Sequence, residues 1–129
     1  MTDPIADMIV RMKNAGDSRK DTTSFPYSKI KFDICEVLRD EGFIGTFAKK
    51  GKKVATSIEV ELLYPGDESR IKGVRKVSKP SRRIYQGAKD IRRVKNGFGM
   101  LVLTTPKGIM TGDTARKEKI GGEALFEIW

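Results

Sequence analysis

The hydrophobic period of this chain changes from helical to extended part-way along, and that change limits the fold more than any other feature. Near the start, Ile5, Met8, Ile9 and Met12 recur at i, i+3, i+4 and i+7, the spacing of one helix face. Asp3 suits the cap and Pro4 the first helical position, while Gly16 suits the stop. A helix is therefore predicted from Pro4 to about Ala15. "DTTSFPYS" (21–28) reads as a short extended stretch broken by Pro26. A second helix is predicted from about Ser28 to Glu41, with Ile30, Ile34, Val37 and Leu38 as its inner stripe and Gly42 as its stop. From Phe43 to Tyr64 the period drops to two. "FIGTFAKK" and "VATSIEVELLY" flank "KGKK" as a hairpin with a basic tip, and Ile58, Val60 and Leu62 alternate with Glu59 and Glu61.

The order α-β-α-β-β through Tyr64 is followed by the turn-rich "PGDES" (65–69), the natural lobe boundary. Beyond it the chain reads as mainly β. "IKGVRKVS" is extended and basic, "RRIYQ" follows, and "MLVLTT" (100–105) is a continuous apolar run fit for a buried strand. Thr111 suits the cap of a short helix running to about Lys119. After Gly121 and Gly122, a last strand is expected to alternate Ala124, Phe126 and Ile128 with Glu123, Leu125 and Glu127. The fold expected is α+β in two small lobes, 1–64 and 65–129, the second mainly β with a short helix.

Charge separates the two halves. Residues 1–64 hold 11 basic and 10 acidic side chains, whereas residues 65–129 hold 15 and 7. Between Arg70 and Lys95 there are 11 basic residues and one acid, Asp90. One-sided charge of this kind points to an anionic polymer as partner. The chain has no histidine and a single cysteine, Cys35. That removes Ser-His and Cys-His nucleophiles and the common zinc sites. Cys35 borders the second helix's apolar stripe and reads as a core residue in a reducing compartment. No apolar run approaches the roughly 20 residues of a membrane span, and no secretory signal is expected.

The glycine signals do not describe a nucleotide enzyme. "NGFGML" lacks the third glycine of a dinucleotide fingerprint and precedes a strand, and "TPKGIMTG" lacks the phosphate-loop order. The carboxylates of the second half are scattered, without the convergence that metal-dependent chemistry needs. The chemistry of "TTPKG" suits RNA instead. Thr104 and Thr105 both donate and accept hydrogen bonds, Lys107 adds a mobile cation, and Gly108 permits close backbone approach. Glu123 is an acid amid a basic surface. It either accepts from an exocyclic amine or a 2′-hydroxyl, or pairs with a neighbouring Lys or Arg. Tyr85 either stacks on RNA or sits half-buried in a strand.

"GMLVLTTPKGIMTGDTAR" (99–116) resembles the signature of the family of ribosomal protein eight of the small subunit, in its bacterial form. "DPIADM…RMKNA", "PYSKIK", "EGFI", "SKPSRRIY" and "GGE…W" are similar to further parts of that family, in family order over nearly the whole chain. The resemblance implies a two-lobed, non-enzymatic protein of the cytoplasmic ribosome. Such a protein binds the central domain of small-subunit ribosomal RNA early in assembly and touches neighbouring small-subunit proteins. It needs no cofactor and takes no small-molecule substrate. Some members also repress translation of their own operon. The resemblance assigns RNA binding to Tyr85, Thr104, Thr105, Lys107, Gly108, Gly122 and Glu123, and a second contact to Lys29 and Lys31. One position departs from the pattern. Pro106 stands where the family often has serine, and it offers neither a hydroxyl nor a backbone N–H.

Overall fold

The computed structural model describes residues 3–129, apart from the side chain of Asn96. It is an α+β fold of three helices and two antiparallel sheets. Two compact units make it up. One comprises Asp7–Lys72; the other joins residues 3–6 to Gly73–Trp129. No described helix is long and apolar enough to cross a membrane.

Helix α1 runs from Pro4 to Asp17, with the Asp3 carboxylate accepting from the Ala6 N–H at 3.1 Å. It continues past Gly16, contrary to the stop expected there. Gly16 is buried, and any Cβ on it would run into the Ser69 hydroxyl. The helix instead ends through Arg19, which takes a left-handed φ of 57°. The Lys20 and Arg19 N–H groups then reach back to the carbonyls of Ala15 and Gly16. This is the usual glycine-type helix ending, achieved here by an arginine.

Strand β1 (Thr22–Pro26), helix α2 (Lys29–Asp40), strand β2 (Phe47–Lys50) and strand β3 (Ser57–Glu61) follow in the expected order. The sheet order is β1-β3-β2, so the hairpin's second strand is central. Ile58 and Val60 face inward while Glu59 and Glu61 face out. Ser28 caps α2, and Gly42, at φ +79°, ends it with the Phe43 N–H bonding to the Leu38 carbonyl. The buried stripe of α2 differs from expectation. It is Lys31, Ile34, Cys35 and Leu38, while Ile30 is exposed. Lys31 is accommodated because its ammonium donates to the Pro26 carbonyl at 3.0 Å. Burial pushes its pKa down.

Burial also pushes the Cys35 thiol up from 9.0 to about 12. The thiolate is the reactive form, so native protein at pH 8 is expected to leave Ellman's reagent unreacted until denaturant is added. Fast reaction of the native protein would place Cys35 outside the core. The folded state retains this proton where the unfolded chain loses it. The group's contribution to stability therefore falls as pH rises from 9 towards 12.

The second sheet is built from strands β4 (Val74–Lys76), β5 (Tyr85–Gln86), β6 (Met100–Thr105), β7 (Gly108–Thr111) and β8 (Gly122–Ile128). Its order is β4-β8-β6-β7, with β5 pairing the same edge of β8 as β4, further along. Strand β7 is an addition to the elements expected from the sequence, which has only the Thr111-capped helix after "MLVLTT". Helix α3 (Gly112–Glu118) follows it directly, capped by the Thr111 hydroxyl accepting from the Thr114 N–H at 3.1 Å. Leu101, Leu103, Met110, Ala115 and Ala124 form a core cluster with Ile91 and Val94.

The alternation expected for β8 does not hold along its whole length. Val102 pairs with Phe126, but the next residue, Leu103, pairs with Ala124. Leu125 is thus an extra residue, a β-bulge, and its side chain is buried too. A bulge reverses which side chains face which way. It moves Ala124 to the face of Leu103 and brings Glu123 onto the face of Thr104. Backbone and side chain hold it in place, since the Val77 N–H and the Lys76 ammonium both donate to the Leu125 carbonyl, at 3.0 and 3.2 Å.

Candidate nucleic-acid interface

The register beyond the bulge assembles most of the expected residues. Ile109, Thr104, Glu123 and Tyr85 are successive cross-strand partners on β7, β6, β8 and β5. Directly opposed residues share a face and lie about 5 Å apart, so Thr104, Glu123 and Tyr85 form one row. Sequence periodicity alone gives no hint of this, because without the bulge Glu123 would face the other way.

Each member of the row has chemistry to spare. The Thr104 hydroxyl has no hydrogen-bond partner among the described residues. Tyr85 is 73% exposed, an open aromatic face rather than a half-buried strand residue. The Glu123 side chain is 15% exposed, and one of its oxygens accepts from Arg83 at 3.3 Å. The ion-pair reading of Glu123 therefore holds. Because a carboxylate can accept about four hydrogen bonds, the pairing leaves its other oxygen open. Lys76, pushed down by burial and pulled up by Asp3 and Glu123, sits beneath the bulge with its ammonium on the Ser78 and Leu125 carbonyls.

Beside this row runs a second one made of backbone and turn. Thr105 pairs with Gly108, and Gln86 with Gly122. Gly122 is dictated by packing, since a Cβ there would collide with the Thr104 carbonyl. Thr105 is turned inward to serve the turn. Its hydroxyl accepts from the Lys107 N–H at 3.1 Å and donates to the Gly108 carbonyl at 2.8 Å. Pro106 and Lys107 keep negative φ while Gly108 takes +113°. Proline at the second position and glycine at the fourth are what a type I turn favours. Pro106 thus stiffens a tight hairpin rather than interrupting a loop. Lys107 is exposed at the tip, its ammonium 3.7 Å from Glu118.

Sequence reasoning missed two contributors. Arg83 holds Glu123, and its only signal was membership of the basic run. Gln86 has a buried side-chain oxygen with no hydrogen-bond partner among the described residues, next to Tyr85 in β5. A buried polar atom left open is costly and uncommon. Close by, the loop Lys79–Arg82 is closed by paired backbone bonds of 2.9 and 3.0 Å, and Lys79 and Arg82 carry no ion pair among the described residues. Lys29 and Lys31 lie elsewhere, on α2. Lys29 is exposed and pairs with Asp33 at 2.7 Å, while Lys31 is buried as described above.

The family model described as Ribosomal protein S8 matches residues 3–129. The chain belongs to this family. Its members are ribosomal structural proteins and not enzymes, which places the chain at the ribosome in the cytoplasm. Similar proteins include small ribosomal subunit protein uS8 of Mycoplasmopsis agalactiae, 44% identical over 129 residues, which are 100% of this chain and 98% of that one. The protein of the same name from Erythrobacter litoralis is 40% identical, again over 100% of this chain and 98% of its own. That of Thiobacillus denitrificans is 45% identical over 125 residues, 97% of this chain and 95% of the relative.

Proposed function

We propose that this structural constituent of the small ribosomal subunit binds the central domain of the subunit's RNA through the C-terminal unit that contains Gly73–Trp129, and does so early in assembly. The observation that carries this reading is the row of Thr104, Glu123 and Tyr85. A hydroxyl, a carboxylate with a free oxygen and an open aromatic ring stand side by side. Regular A-form RNA hides its base edges in a deep, narrow groove, so the target is an irregular helix whose edges are accessible. Lys79, Arg82 and Lys107 supply attraction to phosphate without regard to sequence. Thr105, Gly108 and Gly122 act by shape, setting the hairpin and letting the strands approach. The family supports contacts with neighbouring small-subunit proteins. It also supports repression of the protein's own messenger, which would need only a messenger site of similar shape.

Replacing Glu123 by Ala separates reading from attraction. A hydrogen bond to a charged group is worth about 1.5–3 kcal/mol, so cognate RNA affinity should fall roughly 10- to 100-fold. Binding to a random duplex should hold or rise, because Arg83 is released from its partner. Filter binding of both RNAs checks this, and an equal loss on the two would remove Glu123 from the reading set.

A further inference from the structure

We infer that the C-terminal sheet carries a second ligand site, a basic cleft built to hold an unpaired nucleotide of RNA. The cleft measures about 530 Å³, within the roughly 300–1,000 Å³ of small-molecule sites. It opens between the segment leading into β6 and the start of α3. Leu101 lies in it and Leu103 belongs to the same core cluster, so the cleft is on the face of β6 opposite to Thr104.

Its lining divides into an apolar floor and a cationic rim. Val94 and Leu101 form the floor. Arg92, Arg93 and Lys117 are exposed around it and have no ion pair among the described residues. Asp113 is the one acid of the lining, and it is engaged by Arg116. Arg116 also donates to the Ile91 carbonyl at 3.2 Å, tying α3 to the segment across the cleft. Phe98 stands between two lining glycines, Gly97 and Gly99, and is 85% exposed.

These features fit a nucleotide better than an acidic protein segment. Carboxylates would satisfy the rim but have no use for an apolar floor. A nucleotide brings a flat base for the floor or for stacking on Phe98, and phosphates for the guanidinium groups. The site goes beyond the Thr104–Glu123–Tyr85 row and rests on the RNA-binding reading only for the nature of its ligand.

The test uses the full chain and a fluorescent oligoadenylate of about five nucleotides, too short to form a helix, followed by anisotropy. Two variants address the cleft, Arg92→Ala combined with Arg93→Ala, and Phe98→Ala. All three side chains are exposed, and circular dichroism checks that the fold persists. Each variant is expected to weaken the oligonucleotide about 10-fold, while Lys52→Ala combined with Lys53→Ala, exposed in the β2–β3 turn, changes it less than about twofold. Failure of the wild type to bind the oligonucleotide, or unchanged binding by both cleft variants, overturns the proposal. So does equal competition by tripolyphosphate, which has no base, or tighter binding of a hexaglutamate peptide. Against small-subunit RNA the two sites separate. If only Glu123→Ala weakens binding, the cleft falls and the row stands. If only the cleft variants do, the row falls and the cleft stands.

Discussion

Raising salt from about 50 to 200 mM is expected to weaken binding to small-subunit RNA on the order of 10³-fold, the loss that goes with about six neutralised phosphates. The basis is the distribution of charge. The C-terminal half carries 15 basic and 7 acidic residues, and several acids are already matched within it. Glu123 pairs with Arg83, Glu127 with Arg75, and Asp113 with Arg116. Apart from Asp90, what remains uncompensated is cationic, and much of it is exposed on Lys79, Arg82, Arg92, Arg93 and Lys117. Counterion release makes such contacts steeply salt-dependent, whereas hydrogen bonds to base edges are much less so. Anisotropy titrations at four salt concentrations give the slope. A loss of only about 10-fold would mean no more than two phosphates, and the basic half would then be a solvated surface.

Leu103→Ala is expected to remove about 2–5 kcal/mol of stability, a large share of the roughly 5–15 kcal/mol of a typical domain. Leu103 is fully buried on the central part of the second sheet, clustered with Leu101, Met110, Ala115 and Ala124. Its neighbours come from three strands and a helix, so the vacated volume cannot close by a single movement. Val54, fully exposed in the β2–β3 turn, provides the contrast. Val54→Ala should change stability by less than about 0.5 kcal/mol. Urea unfolding measures both. A loss below about 1 kcal/mol at Leu103 would mean that the cluster does not hold the sheet. Leu103 faces away from Thr104, so the share of RNA affinity that Glu123→Ala removes should be nearly preserved in this variant when measured well below the unfolding transition.

Much of the fold could be read from local pattern, because period and capping are local properties. Both first helices, the β2–β3 hairpin and the Thr111 cap lie where residue spacing put them. The departures have tertiary causes. In α2 the positions 31, 34, 35 and 38 have ideal helical spacing, but a lysine at the first of them conceals the stripe until Pro26 supplies its ammonium with an acceptor. Gly16 signals a helix stop in sequence, yet it is small because Ser69 lies against it. The candidate site was legible as a set of residues and illegible as an arrangement. "TTPKG", "RRIY" and "GGE" stand out in the chain, but only the bulge at Leu125 puts Thr104, Glu123 and Tyr85 in one row. That bulge depends on Val77 and Lys76, roughly fifty residues away in sequence. Gln86 could not be found, because an open hydrogen-bonding atom exists only once its surroundings have closed.

The pairing of Gly73 with Trp129 has a use at the bench. Each donates its N–H to the other's carbonyl, at 3.1 and 3.0 Å, and a Cβ on Gly73 would strike the indole. The ammonium of Lys95 lies 4.5 Å from the ring centre, and Lys95 neighbours the proposed cleft. This is the only tryptophan in the chain. Its emission is therefore a built-in optical signal for the C-terminal unit, sensitive both to the parting of β4 from β8 and to any ligand that draws Lys95 off the ring, with no label attached.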